Sequence, residues 1–158
     1  MAAVLFVCTG NICRSPLAEG IFNHRLRSLG LSGRFRADSA GLIAYHQGEP
    51  PDPRTCRTAR SFGIDLSAQR SRPFHRRDFA EFDFILAMDR GHFEQLRKSA
   101  PPNCREKVRL LLSFLPAGGE VPDPYYGGEQ GFHKVHQLVE QGVDALLKHL
   151  LERDGAES

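Results

Sequence analysis

The sequence contains no run of apolar residues that approaches the roughly 18 needed for a helix to cross a membrane. We therefore expect no membrane-spanning segment and no membrane partner. The opening residues, MAAVLFVCTG, lack the basic leader of a signal peptide, so the cytoplasm is the expected compartment. With 158 residues the chain has the length of one domain, and we expect a single domain over residues 1–158.

Patterns typical of metal sites and nucleotide sites are also missing. The four cysteines form no CxxC pair and have no histidine at zinc-finger spacing, which argues against a structural metal site and a secreted disulfide framework. No glycine-rich loop ends in Lys-Ser or Lys-Thr, which excludes a P-loop nucleotide hydrolase. We expect no metal and no cofactor, and interpret the cysteines through their reactivity.

The charge balance gives little support for a nucleic-acid partner. The formal net charge is only +2, although Arg70, Arg72, Arg76 and Arg77 cluster around His75. A solvated surface is the more economical interpretation of this cluster, and steering of anionic substrates is the alternative. We expect no nucleic-acid binding.

Strand and helix patterns alternate along the chain. Continuous apolar or β-prone stretches predict strands at 3–7, 35–39 and 82–88, with 108–114 of ambiguous type. Helical spacing or capping signals predict helices at 16–29, 53–62 with Asp52 as N-cap, 90–99 and 132–150. This order favours an α/β fold: an open parallel four-stranded sheet, Rossmann-like, with helices on both faces.

The segment between the first strand and the first helix carries the chemistry. It reads Cys8-Thr9-Gly10-Asn11-Ile12-Cys13-Arg14-Ser15 and places an arginine six positions after a cysteine. That spacing alone is weak evidence, because chance produces it often. The context strengthens it, since open α/β sheets bind anions where a strand ends and a helix begins.

Such a loop suits phosphate. Its amides can point at the anion, the helix dipole adds positive charge, and the Arg14 guanidinium can hold two phosphoryl oxygens. The same field favours a thiolate at Cys8, which makes the sulfur a nucleophile. The alternative is an ordinary buried cysteine at a strand end.

The run VLFVCTGNICRSPLAE resembles the opening signature of the low-molecular-weight protein tyrosine phosphatases. The resemblance continues through the DSAG, PDPR, FDFILAMD and DPYYG segments in family order, and covers nearly the whole chain. It implies hydrolysis of phosphotyrosine and small aryl phosphates through a phosphocysteine at Cys8. Phosphotyrosine proteins are the implied substrates, inorganic phosphate the product, and a monomer or weak dimer the expected assembly.

The same resemblance assigns roles within the site. The phosphate-binding loop is Thr9, Gly10, Asn11, Ile12, Cys13, Arg14 and Ser15. Asp123 matches the general acid, which later acts as base. Asp52 is its rival, but Asp52 already has a structural role as N-cap, whereas Asp123 lies in a long loop beside two tyrosines.

Further residues match the family's supporting set. Asn11, Ser15 and Ser39 resemble the hydrogen-bonding residues that hold the loop and assist the thiolate. The residues that match the aromatic wall of the cleft are Tyr45, Tyr125 and Tyr126.

Cys13 resembles the family's backup cysteine, able to trap an oxidised Cys8 as a disulfide. Its alternative is a packing role. Two residues depart from the common pattern: Gln69 stands where many members carry a histidine, and Thr9 replaces a frequent leucine.

Three other functions stay open. A protein arginine phosphatase shares the loop and resembles this chain at Thr9, but typically has threonine at the place of Ile12. A thioredoxin-coupled arsenate reductase needs two further cysteines close together, whereas Cys56 and Cys104 are far apart in the sequence. The third is an inactive phosphotyrosine-binding module, against which the intact catalytic positions argue.

Overall fold

The computed structural model describes residues 2–124 and 128–157, and within them the strands form one parallel sheet. The strands are β1 (Ala2–Cys8), β2 (Phe35–Gly41), β3 (Phe84–Ala87) and β4 (Val108–Leu110). Their order is β2-β1-β3-β4, and each neighbouring pair is parallel. The predicted open four-stranded parallel sheet is confirmed, with β1 between two neighbours.

Helices cover both faces of the sheet, as predicted. They are α1 (Arg14–Ser28), α2 (Pro53–Ser61), α3 (Asp78–Glu81), α4 (Arg90–Ser99) and α5 (Glu129–Glu157), with 3-10 segments at Pro102–Lys107 and Leu111–Phe114. Alternate β1 side chains point to opposite faces. Val4 and Phe6 pack in the cluster that includes α1 and α5, whereas Leu5 and Val7 pack with α3 and α4.

The predicted cap of α2 agrees with the structure, whereas the predicted strand 82–88 does not. Asp52 caps α2 by accepting a hydrogen bond from the Arg54 amide at 2.8 Å. The ambiguous stretch 108–114 divides into β4 and a 3-10 turn. The predicted strand 82–88 is too long, because Asp83 bonds to Ala3 through its side chain as well as its amide.

The carboxyl ends of β1 and β3 lie side by side, since Val7 pairs with Ala87. The loop after β1 and the first turn of α4 after β3 therefore meet at one edge of the sheet. No helix in the described residues is both long and apolar enough to span a bilayer.

Candidate active site

The loop after β1 is held by its carbonyl groups. The Leu42 amide donates to the Cys8 carbonyl (3.0 Å), and the Ile43 amide donates to the Thr9 carbonyl (3.1 Å). Further along the loop, Ser71 Oγ donates to the Gly10 carbonyl (2.9 Å), and the Asp52 amide donates to the Ile12 carbonyl (2.8 Å). By contrast, no described residue accepts a hydrogen bond from the amides of residues 10–15. These amides are therefore the donors that the loop offers to an anion.

β2 approaches this loop closely at Gly41. A Cβ at position 41 would lie 2.9 Å from the Thr9 carbonyl oxygen and 3.0 Å from the Gly10 carbonyl carbon. Real Cβ atoms do not approach backbone atoms this closely, so glycine is required here for the loop to keep its shape.

Asn11 holds the loop from its buried side. Its φ of 57° lies in the left-handed region, which asparagine tolerates better than most residues. Its Nδ2 donates to Ser15 Oγ (2.8 Å) and Ser39 Oγ (2.9 Å), and its Oδ1 accepts from the Arg72 amide (3.0 Å). The predicted supporting residues Asn11, Ser15 and Ser39 thus lie together.

Cys8 lies at the end of this network. Its Sγ is 3.0 Å from Ser15 Oγ, and both residues are buried. Because the Asn11 amide already donates to Ser15 Oγ, the Ser15 hydroxyl hydrogen is available to the sulfur. Ser15 is therefore placed to donate a hydrogen bond to the sulfur that would attack phosphorus.

Arg14 is buried and is oriented by groups beyond the loop. Its Nη1 donates to Asp89 Oδ2 at 2.9 Å and to the Val121 carbonyl at 3.0 Å, and its Nη2 lies 3.6 Å from Asp123 Oδ2. Burial acts against the Asp89 carboxylate, but hydrogen bonds from the His92 amide and from Arg14 lower its pKa. Asp89 therefore remains a charged partner of the guanidinium at neutral pH.

The loop that carries Asp123 reaches the site through Val121. The Val121 amide donates to the Met88 carbonyl at 2.9 Å, at the end of β3, while its carbonyl accepts from Arg14. Two residues later the half-exposed Asp123 lies at the same cavity as Cys8.

A cavity of about 350 Å³ brings most of the predicted site residues together. It is lined by Cys8, Thr9, Gly10, Ile12, Cys13, Arg14, Tyr45 and Asp123, and also by Ile43 and His46. Asn11 and Ser15, predicted in the same loop, are buried behind it. The predicted wall residues Tyr125 and Tyr126 lie outside the described residues.

Comparison with known proteins decides the family. The family model described as low molecular weight phosphotyrosine protein phosphatase matches residues 3–156. The low molecular weight protein-tyrosine-phosphatase of Streptomyces coelicolor is 45% identical over 157 residues, which cover 95% of this chain and 94% of the relative. The chain belongs to this family. It is a protein-tyrosine-phosphatase, a hydrolase of phosphoric monoesters in phosphoproteins.

Two further relatives agree with this assignment. YfkJ of Bacillus subtilis, another low molecular weight protein-tyrosine-phosphatase, is 40% identical over 149 residues, covering 93% of this chain and 94% of its own. A crystal structure of a protein tyrosine phosphatase from Entamoeba histolytica, with Hepes in its active site, matches with a TM-score of 0.92 at 37% identity, covering 98% of this chain and 99% of the other.

The rival carboxylate, Asp52, is used elsewhere in this phosphatase. It is buried, caps α2 and forms an ion pair with Arg54 Nη2 at 2.9 Å. It does not line the cavity described above. Burial acts against its charge, but the hydrogen bonds from Arg54 lower its pKa.

Gln69, at the position of a frequent histidine, donates from Nε2 to the Pro16 carbonyl at 3.0 Å. Gln69 therefore does not bond to Ser39, whose Oγ donates to Glu19 Oε1 at 2.7 Å. Burial raises the pKa of Glu19 to about 7, although the Ser39 hydrogen bond acts in the opposite direction. The phosphatase therefore has a titratable carboxyl group behind its loop.

Sequence reasoning missed Glu19, Asp89 and His92. Glu19 belongs to the matched opening signature, and this membership was the signal available. Asp89 and His92 follow the buried strand β3 at the edge where α/β sheets bind ligands. No group of three or more His, Cys, Asp or Glu side chains in residues 2–124 and 128–157 could hold a metal ion.

Proposed function

We propose that this phosphatase transfers the phosphoryl group of phosphotyrosine to Cys8 Sγ and then hydrolyses the phosphocysteine. One observation carries the proposal: Cys8, Arg14 and Asp123 line one cavity, above a loop whose amides at 10–15 have no acceptor among the described residues. A dianionic phosphate placed there meets donors that need no rearrangement to receive it.

The guanidinium of Arg14 supplies the clamp. Nη1 is occupied by Asp89 and Val121, so the planar fork to two phosphoryl oxygens falls to Nε and to Nη2, which lies 3.6 Å from Asp123 Oδ2. Together with the loop amides, they stabilise the charge that spreads over the equatorial oxygens in the transition state.

Proton transfer is assigned to Asp123. In the first step the thiolate attacks phosphorus, the bond to the tyrosyl oxygen breaks, and the Asp123 carboxyl donates its proton to that oxygen. In the second step the Asp123 carboxylate takes a proton from water, whose oxygen attacks phosphorus and releases inorganic phosphate. The Cys8 thiolate is the leaving group, assisted by the Ser15 hydroxyl.

An aromatic substrate fits the rim of the cavity. Tyr45 is 81% exposed and Ile43 is 47% exposed at its edge, and both offer apolar surface to a tyrosyl ring. The wall formed by Tyr125 and Tyr126 stays a prediction. So do the cytoplasmic compartment, the single domain, the monomer or weak dimer, and the lack of a nucleic-acid partner.

Cys13 is assigned a redox role. Burial raises the pKa of its thiol to about 12, so Cys13 is protonated at neutral pH and Cys8 remains the nucleophile. After a peroxide converts Cys8 to a sulfenic acid, condensation with the Cys13 thiol would form a disulfide and release water. Excess peroxide would take an unprotected sulfenic acid on to the sulfinic acid, which thiol does not reduce. Recovery of activity by added thiol after this treatment in the wild type, but not in Cys13→Ser, tests this role.

Two alternatives, an arsenate reductase and a protein arginine phosphatase, fit the structure less well. Cys56 packs with the α1 and α5 side of the sheet and Cys104 with the α3 and α4 side, which separates the cysteines that an arsenate reductase would use. A phosphoarginine substrate is the nearest competitor, since Thr9, at which this chain resembles protein arginine phosphatases, lines the cavity. Ile12 lines the cavity too and is bulkier than the threonine typical of those enzymes, which favours an aryl phosphate.

The test is kcat/KM on matched phosphotyrosine and phosphoarginine peptides in EDTA, with Cys8→Ser as control. We expect a strong, metal-independent preference for phosphotyrosine that disappears in the variant. Preference for phosphoarginine would keep the mechanism and overturn the substrate. Turnover of neither peptide would overturn the proposed catalysis and leave a binding module.

A further inference from the structure

A histidine outside the loop contacts the residue next to the nucleophile. His92 lies in the first turn of α4 and is only 5% exposed. Its Nε2 is 2.8 Å from Thr9 Oγ1, although the two residues are 83 positions apart in the sequence. Thr9 directly follows Cys8 and lines the cavity.

The surroundings of His92 set the protonation of its ring. Burial and the nearby Arg14 charge lower its pKa to about 4, with Asp89 opposing them, so the ring is neutral at physiological pH. Its Nδ1 lies 3.2 Å from Asp89 Oδ1. That contact is not a hydrogen bond, so the bond between Nε2 and Thr9 Oγ1 is the one that the ring makes among the described residues.

The Asp89 carboxylate also orients Arg14. Asp89 Oδ1 accepts from the His92 amide at 2.9 Å and caps α4, while Oδ2 accepts from Arg14. The first turn of α4 is thus bonded to the residue after the nucleophile and to the phosphate clamp, near the two ends of the loop.

We propose that His92 is a positioning residue for phosphoryl transfer, which holds Thr9 and the adjoining part of the phosphate loop in register with Arg14. The proposal rests on the proposed function of the loop. The neutral ring acts only through its hydrogen bonds, because His92 neither touches the substrate nor transfers a proton to it. Loss of the bond lets the start of the loop move relative to the clamp.

The expected effect is moderate. Loss of one neutral hydrogen bond corresponds to about a fivefold change in an equilibrium or a rate. Because the loop binds the ground state as well as the transition state, the loss should appear in phosphate binding and in KM, with a smaller change in kcat.

Side-chain swaps at both ends of the bond provide the test. Thr9→Val removes the hydroxyl at constant shape, whereas Thr9→Ser retains it. His92→Asn is too short to reach Thr9, whereas the amide of His92→Gln extends about as far as Nε2. Thr58→Val, on α2 and outside this cavity, controls for the chemistry of a threonine-to-valine change.

Two readouts are needed: kcat/KM on a phosphotyrosine peptide and the Kd of inorganic phosphate by calorimetry. We expect Thr9→Val and His92→Asn each to lower kcat/KM and to raise the Kd of phosphate by about fivefold. The double variant should be no worse than either single variant, and Thr9→Ser and His92→Gln should recover most of the loss. Since a purely structural role for His92 would lower thermal stability without coupling to Thr9, additive losses in the double variant would overturn the proposal.

Wild-type behaviour at Thr9→Val would also overturn it. Thr9 is exposed, so this variant should fold even if His92→Asn does not. If the wild type fails to hydrolyse phosphotyrosine while phosphate binding still shows the coupled pattern, the proposed function fails, whereas the positioning of the phosphate loop by His92 stands.

Discussion

Glu19→Gln isolates the buried titratable group behind the phosphate loop. Glu19 lies on α1 and accepts a hydrogen bond from Ser39 at 2.7 Å. Burial raises its pKa from 4.5 to about 7; Asp38 adds to the shift, while the Ser39 hydrogen bond and Arg72 oppose it. Glutamine keeps the size of the side chain and an acceptor oxygen for Ser39, but it cannot titrate.

The magnitude follows from proton linkage. Between the unfolded pKa of 4.5 and the folded pKa of about 7, the folded protein binds more protons than the unfolded chain, so stability falls as pH rises. The favourable contribution is complete below 4.5 and lost as pH rises through about 7. At about 1.4 kcal/mol for each pKa unit, the loss from this one group is at most about 3 kcal/mol.

Urea unfolding at about pH 5 and about pH 8 measures this contribution. We expect the wild type to lose up to about 3 kcal/mol more between these pH values than Glu19→Gln does. Glu94→Gln, which removes an exposed carboxyl group on α4, should keep the wild-type difference. An equal pH dependence in Glu19→Gln and the wild type would refute the argument.

Two further substitutions test the site. Asp123→Ala should lower kcat/KM by roughly 10² to 10⁴ for alkyl or poor aryl leaving groups and far less for p-nitrophenolate; equal losses of kcat/KM across a leaving-group series would contradict the assignment of Asp123 as acid. Gly41→Ala should destabilise the protein by about 1–3 kcal/mol and weaken phosphate binding, because its Cβ meets the Thr9 carbonyl. Urea unfolding and phosphate calorimetry measure these effects. Gly33→Ala is the control, because a Cβ at position 33 meets nothing within 4 Å. Equal stability and equal phosphate binding in the two variants would exclude the steric argument.

The fold was predictable where the signals are local. The element order followed from a buried apolar strand and from the apolar residues along α5. The cap at Asp52 followed from its place directly before the proline that begins α2. Strand ends were less predictable, because the Asp83 side chain accepts the hydrogen bond of the Ala3 amide, a contact between residues 80 positions apart.

The site was predictable in the loop and less so around it. Residues 8–15 are contiguous, so their pattern shows in the sequence. The contacts Arg14–Asp89 and Thr9–His92 join residues 75 and 83 positions apart, and no local pattern encodes them. The bond from Gln69 to Pro16 was equally hidden, since a glutamine offers no preferred partner until the fold supplies one.

The proposed mechanism requires that phosphoryl transfer passes through Cys8. Rapid chemical quench of the wild-type protein with a phosphotyrosine peptide, followed by mass spectrometry of the fragment containing Cys8, tests it most directly. We expect a transient phosphoryl adduct on Cys8 that forms with the release of the dephosphorylated peptide and decays at the rate of phosphate release. Multiple turnover without any adduct, together with retained turnover in Cys8→Ser, would contradict it.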